Sequence, residues 1–260
     1  MNVVVLVKQV PDTYSERKLA AADHTLDRDA ADAVLDEINE RAVEEALQIT
    51  ESQGGEVTAV CMGPDRATEA IRKALSMGVH KAVHLSDDAL AGTDAPATAR
   101  ALAAAIGTVE SVDLVIAGNE ATDGRIGAVP AMLAELLGLP QLTYVRKLST
   151  DGSVVTAERE TDTGIVHLEA NLPAVVSVTE KINEPRYPSF KGIMAAKKKP
   201  VTVLSAADAG IDPAEFGLAN ADSQVVESAP KPPKQAGQRV TDEGEGGIAV
   251  AEYLAGQKLV

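Results

Sequence analysis

Short runs of continuous apolar residues alternate in this chain with stretches whose apolar positions recur at helical spacing. Asn2-Val3-Val4-Val5-Leu6-Val7 has no polar alternation, which predicts a strand covered on both faces. Lys8-Gln9-Val10-Pro11-Asp12 ends it, residues 12–29 are polar and mixed, and Thr25-Leu26-Asp27-Arg28 allows a short strand or hairpin. From about 30 to 51, Val34, Leu35, Ile38, Ala42, Ala46 and Ile49 share one helical face, and Gly54-Gly55 closes that helix. Glu56-Val57-Thr58-Ala59-Val60-Cys61 predicts the next strand. Gly63-Pro64-Asp65 then opens a helix along Ala67, Ile71, Ala74 and Leu75 that stops at Gly78. A third strand is predicted at 81–85, a third helix at 95–106, a fourth strand at 113–117 and a fourth helix at 127–137, closed by Gly138. This alternation predicts a doubly wound α/β fold with a parallel sheet.

After Pro140 the texture changes. Residues 143–148, 153–158, 165–168 and 175–179 read as short strands with no helices between them, expected to be antiparallel and to extend the sheet or form a small annex. From Asn183 the chain reads as extended, residues 219–247 are too poor in apolar content for a core, and 248–254 suits a terminal helix. The expected division is a nucleotide-binding domain over 1–183, followed by a partner-recognition loop and C-terminal arm over 184–260. Such a tail suits an arm laid over another subunit.

Composition narrows the class. Aromatic residues make up only 2% of the chain and tryptophan is absent, so Ala, Val, Leu and Ile must build the core. A formal net charge of −15 argues against nucleic-acid binding, which needs a basic face. The single cysteine, Cys61, excludes an internal disulfide and fits a cytoplasmic protein. No apolar run approaches the roughly 20 residues of a membrane span, so no membrane insertion is expected. Met1-Asn2 leads straight into a strand, so no signal peptide is expected either.

The candidate chemistry gathers where strands end. Ligands of open α/β sheets sit beyond the carboxyl ends of the strands. Three such ends are Val7-Lys8, Cys61-Met62-Gly63-Pro64 and the loop 118–129. The loop carries Gly118, Gly124 and Gly127, and Pro130 suits the first turn of the following helix, whose free N–H groups attract an anion. Together these ends suit a nucleotide; the plain alternative is an ordinary strand-to-helix turn. Neither a Walker loop nor a dinucleotide fingerprint is present. His24, His80, His84 and His167 share no metal-ligand spacing, and Cys61 reads as a small buried hydrophobe. Glu158, Glu160 and Asp162 read as a solvated strand edge and Lys197-Lys198-Lys199 as a solvated charge run. The expectation is binding, with no catalytic residue and no metal.

Several motifs add a resemblance. Lys8-Gln9-Val10-Pro11-Asp12, Ala42-Val43-Glu44-Glu45-Ala46, Gly63-Pro64, Ala74-Leu75-Ser76-Met77-Gly78, the loop 118–127, Glu158-Arg159-Glu160, Leu172-Pro173-Ala174-Val175-Val176 and Asn183-Glu184-Pro185-Arg186-Tyr187 stand in family order. In this the chain resembles the beta subunit of electron transfer flavoprotein over essentially its full length. The resemblance implies a Rossmann-like domain with a mostly parallel sheet, an antiparallel extension and an extended arm. It implies a heterodimer with an alpha subunit that carries FAD. That flavin takes electrons from acyl-CoA and related dehydrogenases and hands them to a membrane quinone oxidoreductase.

The beta subunit is implied to hold AMP as a structural ligand. Carried over by alignment, the AMP site takes Leu6, Asp36, Asn39, Met62, Gly63, Gly118, Asn119, Thr122, Asp123, Gly124, Arg125, Ile126, Gly127, Ala128 and Val129. Tyr14 is expected to face the flavin. The partner-anchoring loop, 187–199, takes Tyr187, Phe190, Lys191, Ile193, Met194 and Lys198, with Phe190 in the place of a usual leucine plug. The chain departs from the common pattern at Asp36-Glu37, where Asn-Pro is usual, and at Arg125, Ala128, Thr163 and Val166. Two other readings stay open: an electron-bifurcating relative with a second FAD in the AMP position, and a stand-alone nucleotide-binding module of the stress-protein type.

Overall fold

The first strand, β1 (Asn2–Leu6), is the axis of the molecule, followed by a hairpin of β2 (Gln9–Pro11) and β3 (Ala33–Leu35), helix α1 (Glu37–Gln53) and β4 (Glu56–Met62). Helix α2 (Thr68–Met77), β5 (Lys81–Leu85), α3 (Ala95–Gly107), β6 (Leu114–Gly118) and α4 (Val129–Leu137) continue the alternation. Next come β7 (Gln141–Thr150), β8 (Val154–Thr161), β9 (Gly164–Asn171), β10 (Ala174–Val178), α5 (Phe190–Ala196), β11 (Val201–Leu204) and α6 (Gly246–Gly256). This is a computed structural model that describes every residue except 235, 236 and 238; those three, within the apolar-poor stretch 219–247, lie outside the described residues.

Among the described residues nine strands form one sheet, ordered β11-β5-β4-β1-β6-β10-β7-β8-β9. It is parallel from β11 to β7 and antiparallel through β8 and β9. Successive residues of each central strand point to opposite faces, so both faces need cover. Val3, Val5, Val57, Ala59, Leu114 and Ile116 join one core layer with Ala42, Ala46, Ile71 and Leu75 of α1 and α2. Val4, Leu6, Val60, Val115 and Ala117 join the other with Ala101, Leu102 and Leu133 of α3 and α4. Alanine at the helix contacts brings the layers close, as a chain nearly free of aromatics requires. The expected α/β fold, mostly parallel with an antiparallel extension, is what forms.

Four details differ from the sequence reading. The helix expected from about 30 begins at Glu37, because the Asp36 carboxylate caps the N–H groups of Ile38 and Asn39. Val34 and Leu35 belong instead to β3, paired with Val10 and Gln9. Residues 25–28 contribute only a bridge between Leu19 and Leu26. Residues 175–179 were expected to be antiparallel, yet β10 runs parallel to both β6 and β7, and all five of its residues are buried. A strand covered on both faces, apolar except for the buried Ser177, is the mark of such a central position.

The fourth difference is the segment after Asn183, which folds rather than staying extended. β11 adds to the β5 edge, and Ala206, Ile211 and Phe216 enter the second core layer, with Arg100 5.5 Å from the Phe216 ring. Helix α5 is too short to stand alone. Its contacts with α2 explain it: Arg72 donates to the carbonyls of Ala196 and Lys199 at 2.6 and 3.1 Å. Lys199 Nζ in turn donates to Leu75, Gly78 and Val79 carbonyls at the end of α2, at 2.9, 3.1 and 2.5 Å. Each helix end receives a cation from the other, as the helix dipole favours. Lys199 is therefore not part of a solvated charge run, whereas Lys197 and Lys198 are exposed. A Cβ on Gly192 would overlap the Ser76 carbonyl, so this glycine lets α5 lie against α2.

Residues 227–260 form a separate unit. In it Asp242 Oδ1 accepts from the N–H groups of Gly244 and Gly246, both at 2.8 Å, ahead of α6.

Replacing Lys199 with Met keeps the aliphatic stem and leaves the α2 carbonyls without their donor. We expect a loss of about 1–3 kcal/mol, read from the urea unfolding midpoint; an unchanged midpoint would show that Arg72 holds the two helices unaided.

Candidate functional site

The strand order reverses direction at β1 and β6: β4 and β5 lie on one side of β1, and β6 and β10 on the other. Ligands of open sheets lie beyond the carboxyl ends at such a point. Here β1 ends at Leu6 and leads into Lys8, and β6 ends at Gly118 and leads into the loop 119–128.

One buried carboxylate organises this place. Asp36, fully buried, accepts from Ile38 N–H at 3.0 Å and Asn39 N–H at 3.1 Å through Oδ1. Its Oδ2 accepts from the Thr122 N–H at 2.7 Å and the Thr122 hydroxyl at 2.8 Å. Its own N–H donates to the Lys8 carbonyl at 3.0 Å. The start of α1, the end of β1 and the loop after β6 are thus joined at one side chain. Asn39 lies so close over Gly118 that a Cβ there would stand 2.7 Å from its Nδ2.

A second carboxylate holds the outer part of the loop. Asp123 pairs with Lys8 Nζ at 2.8 Å and with Arg28 Nη2 at 2.9 Å. It also accepts from the Gly124 N–H at 2.7 Å. Burial alone pushes the Asp123 carboxyl up; Lys8 and Arg28 outweigh it, so the group titrates below the ordinary aspartate range. Arg17 donates to the Thr122 carbonyl at 2.5 Å, and the Tyr144 hydroxyl donates to the Gly127 carbonyl at 3.2 Å.

What is left over has the chemistry of a receptor. No side chain caps the start of α4, where Ala128 is the N-cap; α2 and α6 also lack a side-chain cap, whereas α1, α3 and α5 are capped by Asp36, Asp94 and Ser189. An open helix start suits an anion. Asn119 is buried, yet its Oδ1 has no hydrogen-bond partner, an acceptor waiting for a donor. A Cβ on Gly124 would meet nothing, so this glycine faces open space.

The expected site residues therefore fall into three kinds. Asp36, Asn39, Gly118, Asn119, Thr122 and Asp123 come together as the walls and fastenings. Gly124, Arg125 and Ile126 are exposed on the rim, and Gly127, Ala128 and Val129 are half-buried at the helix start. Leu6 is buried in the second core layer, with Met62 partly buried against it, and both backbone polar groups of Gly63 are engaged, with the Leu85 carbonyl and with His84 Nε2. Sequence reading missed Lys8 as a side chain, Arg17, Arg28 and Tyr144. Scattered basic residues in a polar stretch give no signal of convergence, and Tyr144 comes from β7, separated from β6 by β10 in the sheet.

Tyr14 stands 96% exposed on the 12–32 excursion, which Arg17 and Arg28 fasten to the loop. The residues expected to anchor a partner are likewise outside: Tyr187 is 94% and Phe190 81% exposed, and Ile193 and Met194 extend their stripe at helical spacing. Lys191 and Lys198 are exposed beside it. This face is aimed by a clamp that the sequence did not reveal. Arg186 reaches Glu44 at 2.7 Å and Glu51 at 2.5 Å, while Asn183 donates to Glu45 at 2.9 Å and to the Arg41 carbonyl at 3.1 Å. Burial raises the Glu44 carboxyl, but hydrogen bonds from Arg186 and Gln48 bring it below the ordinary range; burial keeps Glu45 above it despite Asn183.

The other candidates are structural. Burial pushes the Cys61 thiol up to about 12, so it is not a nucleophile. His84 is buried against the Gly63 carbonyl, and His80 accepts from the Val57 N–H. Glu158 and Glu160 pair with Lys147, Arg146 and Lys181 across the meander. Among the described residues no group of His, Cys, Asp and Glu could hold a metal ion.

Comparison with known proteins decides the family. The electron transfer flavoprotein domain matches residues 23–209. The electron transfer flavoprotein subunit beta of Mycobacterium bovis is 65% identical, over 100% of this chain and 99% of its own. The chain belongs to the family of electron transfer flavoprotein beta subunits. The relative of that name in Thermoanaerobacterium thermosaccharolyticum is 40% identical over 93% of this chain and 92% of its own. The caffeyl-CoA reductase-Etf complex subunit CarD of Acetobacterium woodii is 37% identical over 93% and 92%. A role in electron transfer follows from membership. The two family motifs around Glu44-Glu45 and Asn183-Arg186 are the two halves of the clamp just described.

The depressed Asp123 titration gives a pH test. Its ion pairs stabilise the fold above the ordinary aspartate pKa of about 3.9 and lose that contribution as pH falls through the lower folded value. Asp123→Asn should cost about 1–3 kcal/mol near neutrality, with the gap to wild type closing as the pH falls below the ordinary aspartate range. Thermal unfolding across pH measures this; a gap independent of pH would deny the ion pairs a part in stability.

Proposed function

We propose that this chain is the beta subunit of a heterodimeric electron carrier and that the loop 118–129 holds AMP as a structural ligand. The observation that carries the reading is the uncapped start of α4 beside the unpartnered Asn119 Oδ1 at the switch point of the sheet. The N–H groups near Ala128 and Val129 would hold the phosphate. The Asn119 carbonyl would accept from a ring amine or ribose hydroxyl, with Asn39, Leu6 and Met62 around the base. Asp36 and Asp123 serve by holding the loop, since their oxygens are already engaged.

The chain itself supplies no catalytic group in this reading. FAD, held mainly by an alpha subunit, would supply the electron-carrying chemistry, and Tyr14, exposed on its fastened excursion, would border that flavin. The stripe Tyr187, Phe190, Ile193 and Met194, with Lys191 and Lys198 at its rim, would anchor acyl-CoA and related dehydrogenases. Electrons would leave through a membrane quinone oxidoreductase. The exposure of Phe190 on a helix fixed at both ends supports this, because a preorganised anchor loses little entropy on docking. The carrier would work in the cytoplasm; among the described residues no helix is long and apolar enough to cross a membrane.

Extraction of the purified complex, with chromatography of the released nucleotides, should give one AMP and one FAD per heterodimer; two FAD and no AMP would replace this reading with the electron-bifurcating one. Phe190→Ala should raise the apparent KM of dehydrogenases for the complex by about tenfold or more, leaving flavin content intact. Unchanged kinetics with several dehydrogenases would remove Phe190 from docking.

A further inference from the structure

Tyr144 is an anomaly that the fold alone does not require. It lies in β7, but its φ is 58°, a left-handed conformation that a bulky residue adopts only under constraint. The pairing register slips on both sides of it, between Val176 and Val178 of β10 and between Val145 and Lys147 of β7 against β8. Such a bulge re-aims a side chain. Its N–H is held by the Ser177 hydroxyl at 3.1 Å, and its own hydroxyl donates to the Gly127 carbonyl at 3.2 Å.

The acceptor is equally specialised. Gly127 has φ 66°, and a Cβ there would overlap the Tyr144 hydroxyl, so the contact requires glycine. Glycine, however, populates either sign of φ readily, which leaves the 127–128 peptide free to rotate unless something holds it. In a planar trans peptide the C=O and the following N–H point in opposite directions. Fixing the Gly127 carbonyl on Tyr144 therefore fixes the Ala128 N–H pointing away from it. That amide belongs to the N-cap of α4, a helix start with no side-chain cap.

We propose that Tyr144 is a positioning residue for anion binding: its hydroxyl sets the direction of the Ala128 N–H and thereby the affinity of the loop for the phosphate of a nucleoside monophosphate. This rests on the nucleotide reading above and adds a residue that neither glycine spacing nor the helix start identifies. Tyr144 touches no phosphate itself; it acts through the peptide.

The test is Tyr144→Phe in the complete heterodimer, stripped of nucleotide and titrated calorimetrically with AMP and, separately, with adenosine. The dissociation constant for AMP should rise about three- to tenfold, the worth of one neutral hydrogen bond. Adenosine affinity and flavin content should stay unchanged. An unaltered AMP affinity, or an equal loss for AMP and adenosine, overturns the assignment and leaves the nucleotide reading standing. A wild-type complex that takes up neither ligand removes the nucleotide reading and this assignment with it.

Discussion

The buried Asp36 carboxylate is the constraint on which the rest of the site depends. A carboxylate with no solvent exposure is costly to bury unless every oxygen is answered. Here four donors answer it: two N–H groups at the start of α1, and the N–H and hydroxyl of Thr122. The helix dipole adds favourable charge at the same end. Three elements distant in sequence must meet for the balance to hold, which ties the loop after β6 to the start of α1. The open helix start and the unpaired Asn119 oxygen lie beside this fastening.

The same helix supports the exposed stripe. The first turn of α1 holds the loop after β6, and its later turns present Glu44, Glu45 and Glu51 to Asn183 and Arg186. From there the chain enters α5, whose far end is locked to α2 by Arg72 and Lys199. Only Ala196 of that helix is buried, so burial of its own side chains cannot hold it. Charged hydrogen bonds do so instead. A helix held this way can leave Tyr187, Phe190, Ile193 and Met194 in solvent, where a core helix would turn them inward.

Charge is distributed to match. The chain is strongly acidic overall, yet Lys8, Arg17 and Arg28 converge on the loop, and Lys191, Lys197 and Lys198 surround the exposed stripe. The first group answers the Asp123 carboxylate and the Thr122 carbonyl, while the second stands exposed on an acidic chain. Membership of the family makes the chain an electron-transfer subunit.

The sequence by itself determined the layered α/β fold, because a period of two in strands and 3.6 in helices is imposed by backbone geometry and visible in any apolar pattern. It also determined two glycines of the loop, since close approach demands that residue at 118 and positive φ with close approach demands it at 127, whereas nothing around Gly124 does. Short elements escaped it: α5 and β3 owe their form to Lys199, Arg72 and Asp36, whose partners lie far along the chain. The parallel direction of β10 escaped as well, because a strand's pattern records that both faces are covered and not which way its neighbours run. Convergence was decided only by tertiary structure. Nothing in the spacing of Lys8, Arg28 and Asp123, or of Tyr144 and Gly127, marks them as neighbours, for contacts between distant residues are fixed by how the sheet is ordered and where its connections return.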